Sequence, residues 1–176
     1  MNNEDQLKFP IGKFIPKEKY TLEEIRENIK KLEILPDQLI TAVQHFTTQH
    51  WAQSYRPGSW NIRQVIHHLA DSHMHTYIRI KWTLTENEPT IKAYHQQAWA
   101  QTPDNNLDPQ FSLNLLSVLH KKITALLSSL SAEDFKKYFI HPETGKPVNL
   151  ETLCALYAWH GEHHLGHVKL VSGTNA

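Results

Sequence analysis

The 176-residue sequence predicts an all-α fold, a four-helix bundle with an irregular connection between its second and third helices. Three observations carry this. Four long segments place apolar residues at three- and four-residue intervals, the spacing that builds one buried helix face. Six glycines are too few for a turn-rich β protein. No convincing set of strands, internal repeat or low-complexity tract competes with the helical pattern. A chain of this length buries one core comfortably and not two, so a single domain is expected over residues 1–176. The long second and third connections allow a crossover as readily as simple up-down order, and the sequence leaves helix order open.

Residues 1–20 read as an extended arm, marked by Phe9-Pro10 and Ile15-Pro16. Thr21 with Glu24 three residues on forms a capping box. Leu22, Ile25, Ile29, Leu32, Leu39, Val43 and Phe46 follow at helical spacing, giving a first helix to about Phe46. Pro36 is expected to kink or break it, because its ring removes a donor and clashes with the preceding turn. Trp51 to Ser59 reads as a loop, after which Asn61 and Gln64 cap a second helix carrying Ile62, Val65, Ile66, Leu69, Tyr77, Ile80 and Leu84. From Glu86 to Leu107 the chain is polar and irregular, and a connection this long inside one domain is often functional, here as cover for a site. Asp108-Pro109 starts a third helix with a broad stripe: Phe111, Leu115, Leu116, Leu119, Ile123, Leu126, Leu127 and Leu130. Ser131 to Asn149 is a connection whose Thr144-Gly145-Lys146-Pro147 turn is flanked by short extended pieces, and the fourth helix runs from about Leu150 to Val171.

Composition excludes several classes. Eighteen Lys plus Arg balance 18 Asp plus Glu, so there is no basic field to gather a nucleic acid. The longest apolar run, the seven residues Leu153 to Trp159, is far below the roughly 18 of a membrane span. One cysteine, Cys154, closes no disulfide within the chain, and the start MNNEDQLKF lacks the layout of a secretory signal, so a cytoplasmic protein is expected.

Histidine is the anomaly. Eight of the 13 copies fall in two tracts, His67, His68, His73 and His75 on helix two, and His160, His163, His164 and His167 on helix four. At about 100° per residue, Leu153, Tyr157, His160, His164 and Val171 share the inward face of helix four. His160 and His164 are thus one turn apart, the i, i+4 spacing that lets two imidazoles converge on one ion. A lone histidine on an apolar face is ordinarily a hydrogen-bonded core residue; an inward pair opposite a second histidine-rich helix points to metal. On helix two, periodicity places His73 on the inward stripe and His68 roughly 110–130° away. A helix covered on two sides can still direct His68 at helix four, so both stand. Gly161 and Gly166 lie inside helix four, where each costs about 1 kcal/mol against alanine and wants a reason such as close helix approach. His160-Gly161-Glu162-His163-His164 does not match the zinc-protease helices, which need Glu directly after the first ligand or directly before the second. Glu162 points about 160° away from the pair and reads as a solvent-facing ion-pair partner.

The stretches FPIGKFIPKE, YRPGSWNIRQVIHHLADSHMHTYIRIKWTLTENEP and YAWHGEHHLGHV resemble the DinB superfamily, in particular its YfiT-like branch of metal-dependent hydrolases, over most of the chain. That resemblance implies a four-helix bundle whose metal is held by three histidines. One precedes leucine and stands eight residues after a tryptophan, matched by Trp60, His68 and Leu69; the others open and close a His-x-x-His-His tract, matched by His160 and His164. It therefore selects His68 over His73, and leaves His67, His163 and His167 as supporting or structural residues. The chain departs from the pattern at His75, where relatives carry a smaller polar residue; a further ligand and a surface histidine are the alternatives.

Three imidazoles leave a coordination position open, as in catalytic sites. The implied activity is hydrolysis of a small molecule through one divalent ion per subunit, zinc or nickel, since both accept imidazole. The rival that the resemblance supplies is a thiol S-transferase binding a low-molecular-weight thiol, such as bacillithiol, and a noncatalytic metal-binding stress-response module is the third reading. The resemblance also implies a homodimer, and Ile78 and Trp82, opposite Ile62 and Ile66, supply apolar surface for it to cover. Among further residues, Asp71 is a candidate to orient a ligating imidazole, with a surface carboxylate as the plainer alternative. Arg79 and Lys81 can hold an anionic group or simply face solvent. Trp82, Tyr94 and Trp99 can wall a pocket or belong to the core. Cys154 points away from the His160 stripe and reads as a small buried hydrophobe.

Overall fold

The computed structural model describes residues 3–173; the outermost residues of the expected domain and arm, 1–2 and 174–176, lie outside the described ones. In chain order the helices are α1 (Asn3–Lys8), α2 (Leu22–Val43), α3 (Thr48–Ala52), α4 (Ile62–Thr85), α5 (Gln96–Trp99), α6 (Gln110–Ser128), α7 (Ala132–Lys136) and α8 (Leu150–Ser172). A 3-10 turn spans Pro103–Asn106, and strands β1 (Tyr138–Ile140) and β2 (Pro147–Asn149) pair antiparallel, with Phe139 opposite Val148. Helices α2, α4, α6 and α8 form the bundle. Around it the order is α2, α8, α4, α6, each packed on two neighbours, so the first two long helices lie diagonally. That order needs the long connections the sequence contains.

Both expected capping boxes form, Thr21 with Glu24 and Asn61 with Gln64. Asp108 supplies its cap one residue early: its Oδ1 accepts from the Gln110 amide while Pro109 takes the N-cap position. The arm is not extended throughout. Residues Asn3–Lys8 are helical, with Glu4 and Asp5 in the first turn and Lys8 in the last, charges that suit the helix dipole, and Pro10 follows just beyond.

Of the two effects expected at Pro36, a break does not occur, because α2 runs unbroken through it. The carbonyl that its missing N–H would have served is that of Leu32, four residues back. His120 of α6 donates its Nδ1 proton to that carbonyl at 2.5 Å. A side chain of the neighbouring helix thus replaces the donor that proline removes, and both residues are 1% exposed.

The bundle core comes in two parts. One cluster gathers Ile25, Ile29 and Leu32 with Ile80, Ile123, Leu150 and Leu153. The other gathers Leu35 and Leu39 with Ile62, Ile66, Leu69, Leu116 and Leu165. Between them the buried residues of α4, α6 and α8 are polar: Ser72, His73 and Thr76, His120, His163 and His164. Glycine lets α8 approach closely here. A Cβ on Gly161 would stand 2.3 Å from a Leu35 methyl, and one on Gly166 would stand 2.7 Å from the Pro10 ring. No helix among the described residues is long and apolar enough to cross a membrane.

Candidate metal centre

Helix α4 brings His68, and α8 brings His160 and His164, to one point in the polar layer. One ring nitrogen from each lies within 4.8 Å of the others. His68 Nε2 and His160 Nε2 are 3.2 Å apart. A tetrahedral zinc ion with bonds of about 2.05 Å sets its nitrogens about 3.3 Å apart, so small ring movements would complete the shell. Burial pushes the His68 pKa down to about 4. His160 and His164 lie well below the ordinary histidine value, first through burial and then through the neighbouring imidazoles. All three rings are therefore neutral at pH 7, the form that offers a lone pair to a cation.

The hydrogen bonds behind the rings decide which nitrogen faces inward. A backbone carbonyl only accepts, so His167 donates Nε2–H to the Lys8 carbonyl at 3.2 Å. Its Nδ1 must then accept the Nδ1–H of His164, 3.3 Å away, which leaves His164 Nε2 unprotonated. On the other ligand helix face, His160 Nδ1 meets His73 Nε2 at 3.3 Å, leaving His160 Nε2 for the centre. Each α8 ligand is thus backed by a further histidine. Tyr55 stacks on His167 with centroids 3.8 Å apart, and Trp60 packs at 4.7 Å from His68.

A second group, His163, His164 and His167, also converges. It shares His164, and both nitrogens of His167 are already engaged, so binding there would break the bonds that orient His164. His163 instead stacks on Trp159 at 4.6 Å. His67 is drawn away from the centre, bonded to Ser112 at 2.7 Å and to the Leu107 carbonyl at 3.3 Å, where it ties the long connection to α4 and α6.

His75 stacks on Tyr94 at 4.2 Å and belongs to neither group among the described residues. Asp71 is half-buried and hydrogen-bonds to no imidazole among the described residues; burial and then Asp104 push its pKa up to about 6. Cys154 is buried, its thiol pushed up to about 12 by desolvation. Lys81 faces solvent, and Trp82 and Trp99 are each 37% exposed. Glu162 pairs with Lys31 at 3.0 Å on the surface.

Two residues that sequence reasoning passed over matter here. His120 stacks on His73 at 4.8 Å and carries the Leu32 bond; its signal was a polar residue on the buried stripe of α6, in register with the proline of α2. Tyr157, read only as an inward apolar residue, turns its hydroxyl towards Ser72 and Arg79.

Two cavities meet at the centre. One, of about 340 Å³, is lined by His68, His160 and His164 with Tyr55, Trp60 and Trp159. The other, of about 450 Å³, is lined by Ser72, Arg79, Tyr94, Tyr157 and the opposite side of His160. Gln96 and Gln97, from the irregular connection, line both, so that segment does cover the site.

The site lies in a helical bundle in which three histidines from two helices converge on a point where they could hold a metal ion. The model of the DinB superfamily matches residues 31–168, and the chain belongs to that superfamily. It is 45% identical over 164 residues to a protein of Bacillus cereus (strain B4264) named "Putative metal-dependent hydrolase", covering 93% of this chain and 94% of the relative. A protein of Bacillus thuringiensis subsp. konkukian (strain 97-27) with the same description matches equally, at 45% over 93% of this chain and 94% of its own. Among solved structures, YfiT from Bacillus subtilis, described as a "probable metal-dependent hydrolase with an unusual four-helix bundle topology", superposes with a TM-score of 0.93 at 43% identity, covering 96% of this chain and 97% of that one. A mycothiol-dependent maleylpyruvate isomerase shares the fold alone, at 14% identity and a TM-score of 0.63, covering 84% of this chain and 62% of its own.

Proposed function

We propose that this protein is a metal-dependent hydrolase of a small molecule, with one zinc or nickel ion per subunit held by His68, His160 and His164. The convergence of three neutral, inward-facing imidazoles on a cleft carries this reading. An ion with three protein ligands supplies a Lewis acid with an open position, bringing the pKa of a bound water to about 7. The chain's own residues do the rest. His73 and His167 hold the two α8 rings in the required tautomer and orientation. Burial keeps protons off all three ligands, and Trp60 and Trp159 wall the cleft against bulk water. The reading is tested by screening zinc- and nickel-loaded protein against esters and amides, with and without low-molecular-weight thiols and with His160→Ala as control. Turnover without thiol that vanishes in the variant is expected. Turnover only with thiol would replace hydrolysis by thiol S-transfer, and none with metal bound would leave a noncatalytic module.

The unit is proposed to be a homodimer. Phe111, Leu115 and Val118 recur along one face of α6 at i, i+4 and i+7, with exposures of 66, 45 and 62%, a stripe that needs covering. Light scattering at micromolar concentration should give twice the mass of one chain; a monomer would refute it.

A further inference from the structure

We propose that Arg79 binds a carboxylate of the substrate, making the preferred substrates small organic acids whose anionic end lies in the cavity beside the histidine centre. Only two of the described Lys, Arg, Asp and Glu residues are buried, Glu151 and Arg79. Glu151 accepts a hydrogen bond from Asn149 at the start of α8. Arg79, 8% exposed, has no such explanation: among the described residues no carboxylate lies within ion-pair distance of it. Its Nη1 donates to the Tyr157 hydroxyl at 3.3 Å, while its Nε is buried with no partner. A cation removed from water without a counterion is strongly disfavoured unless something in the working protein supplies the opposite charge.

The surroundings fit a carboxylate. The unused Nε side of a guanidinium presents donors in the fork that matches two carboxylate oxygens. Tyr157 accepts from Arg79, and its hydroxyl also lies 3.4 Å from that of Ser72, so its proton can turn towards Ser72 or towards an anion in the cavity. The one carboxylate lining this cavity is Glu143, which is exposed. At about 450 Å³ the space suits a small ligand. It also reaches His160, so a molecule anchored at Arg79 extends towards the metal centre. The placement of its reacting end rests on the function proposed above; the anion site itself does not.

The test titrates 3-mercaptopropionate and its neutral isostere 3-mercaptopropionamide, with homologues one and two methylenes longer, into the full chain by calorimetry, with and without zinc. The thiol reports the metal and the acid reports Arg79. At one chain length the acid should bind at least about tenfold more tightly than the amide, the worth of a charge-assisted hydrogen-bond pair. Arg79→Gln should abolish that ratio, and Arg79→Lys, which keeps the charge, should retain part of it. Equal affinities at every length in the unmodified protein, or an acid preference that survives in Arg79→Gln, would overturn the proposal. If zinc tightens both ligands and the acid gains nothing, this proposal falls and the metal site stands. If the acid is preferred and zinc adds nothing, the metal site falls and this one stands. Binding of neither overturns both.

Discussion

Replacing His120 with leucine removes from the Leu32 carbonyl the donor that stands in for the N–H Pro36 lacks. Both ends of that bond are 1% exposed, so water does not substitute, and a buried orphaned acceptor costs about 1–3 kcal/mol. The imidazole also carries a buried Nε2 without a partner, whose removal offsets part of the loss. The single variant therefore mixes two effects, and a double-mutant cycle with Pro36→Ala separates them. Alanine restores the helical N–H aimed at Leu32. In the unmodified background it adds a second donor to a carbonyl already served. In the His120→Leu background it supplies the donor that the variant has lost, and should be worth about 1–2 kcal/mol more. For a domain of this length that difference is roughly 2–8 °C in melting temperature. Urea unfolding of metal-free protein, followed by far-UV circular dichroism, measures it without contributions from metal linkage. Effects that add to within about 0.5 kcal/mol would show that His120 does not replace the proline's missing donor.

Three further outcomes follow from the same geometry. Alanine at His68, His160 or His164 should abolish stoichiometric metal measured by mass spectrometry, whereas His73→Ala and His167→Ala should keep one ion and bind it about 10–100-fold more weakly; full loss in His73→Ala with retention in His68→Ala would reverse the ligand assignment. Nine histidines have lowered pKa values in the fold, so below about 6.5 the unfolded chain takes up protons that the native chain refuses. Stability of the metal-free protein should therefore fall from pH 7 to 5, with raised Asp71 the opposing group, and a melting temperature that rises on acidification would contradict this. Gly161→Ala should destabilise by about 1–3 kcal/mol in thermal melts through the Leu35 contact, and Leu35→Ala should relieve it; a neutral effect would mean α8 can withdraw from α2 freely.

Periodicity located the four long helices because each buries one stripe, and capping chemistry placed the starts of α2 and α4. Short helices such as α3 and α7 escaped it, since five residues do not complete a repeat. The Pro36 expectation treated α2 in isolation, whereas a donor 88 residues away in sequence satisfies it. Helical periodicity, which sets His73 on the inward stripe and His68 off it, treats α4 as having one inward face. Packed against both α6 and α8, it has two, and both carry histidines: His68 joins His160 and His164 in the group that could hold a metal, and His73 stands behind His160. The sequence offers Arg79 and Lys81 alike as partners for an anion; only the packing of α8 against α4, which sets the Tyr157 hydroxyl against Ser72 and Arg79, separates buried Arg79 from exposed Lys81.

The zero net charge of the chain does not decide what a site binds, because a binding site responds to local charge. The three histidines that could hold a metal are neutral imidazoles, and the groups behind His160 and His164 are imidazoles too, where many metal sites place a carboxylate. Such a set would leave the charge of a bound divalent ion uncompensated. The adjoining cavity adds Arg79, a buried cation with no counterion among the described residues. With a metal held as proposed, the two cavities that share His160, Gln96 and Gln97 would both favour negative charge, one at the reacting end and one at the anchoring end. A neutral substrate would leave the Arg79 charge buried and unpaired in the complex, and an anion of suitable length removes that penalty as it binds.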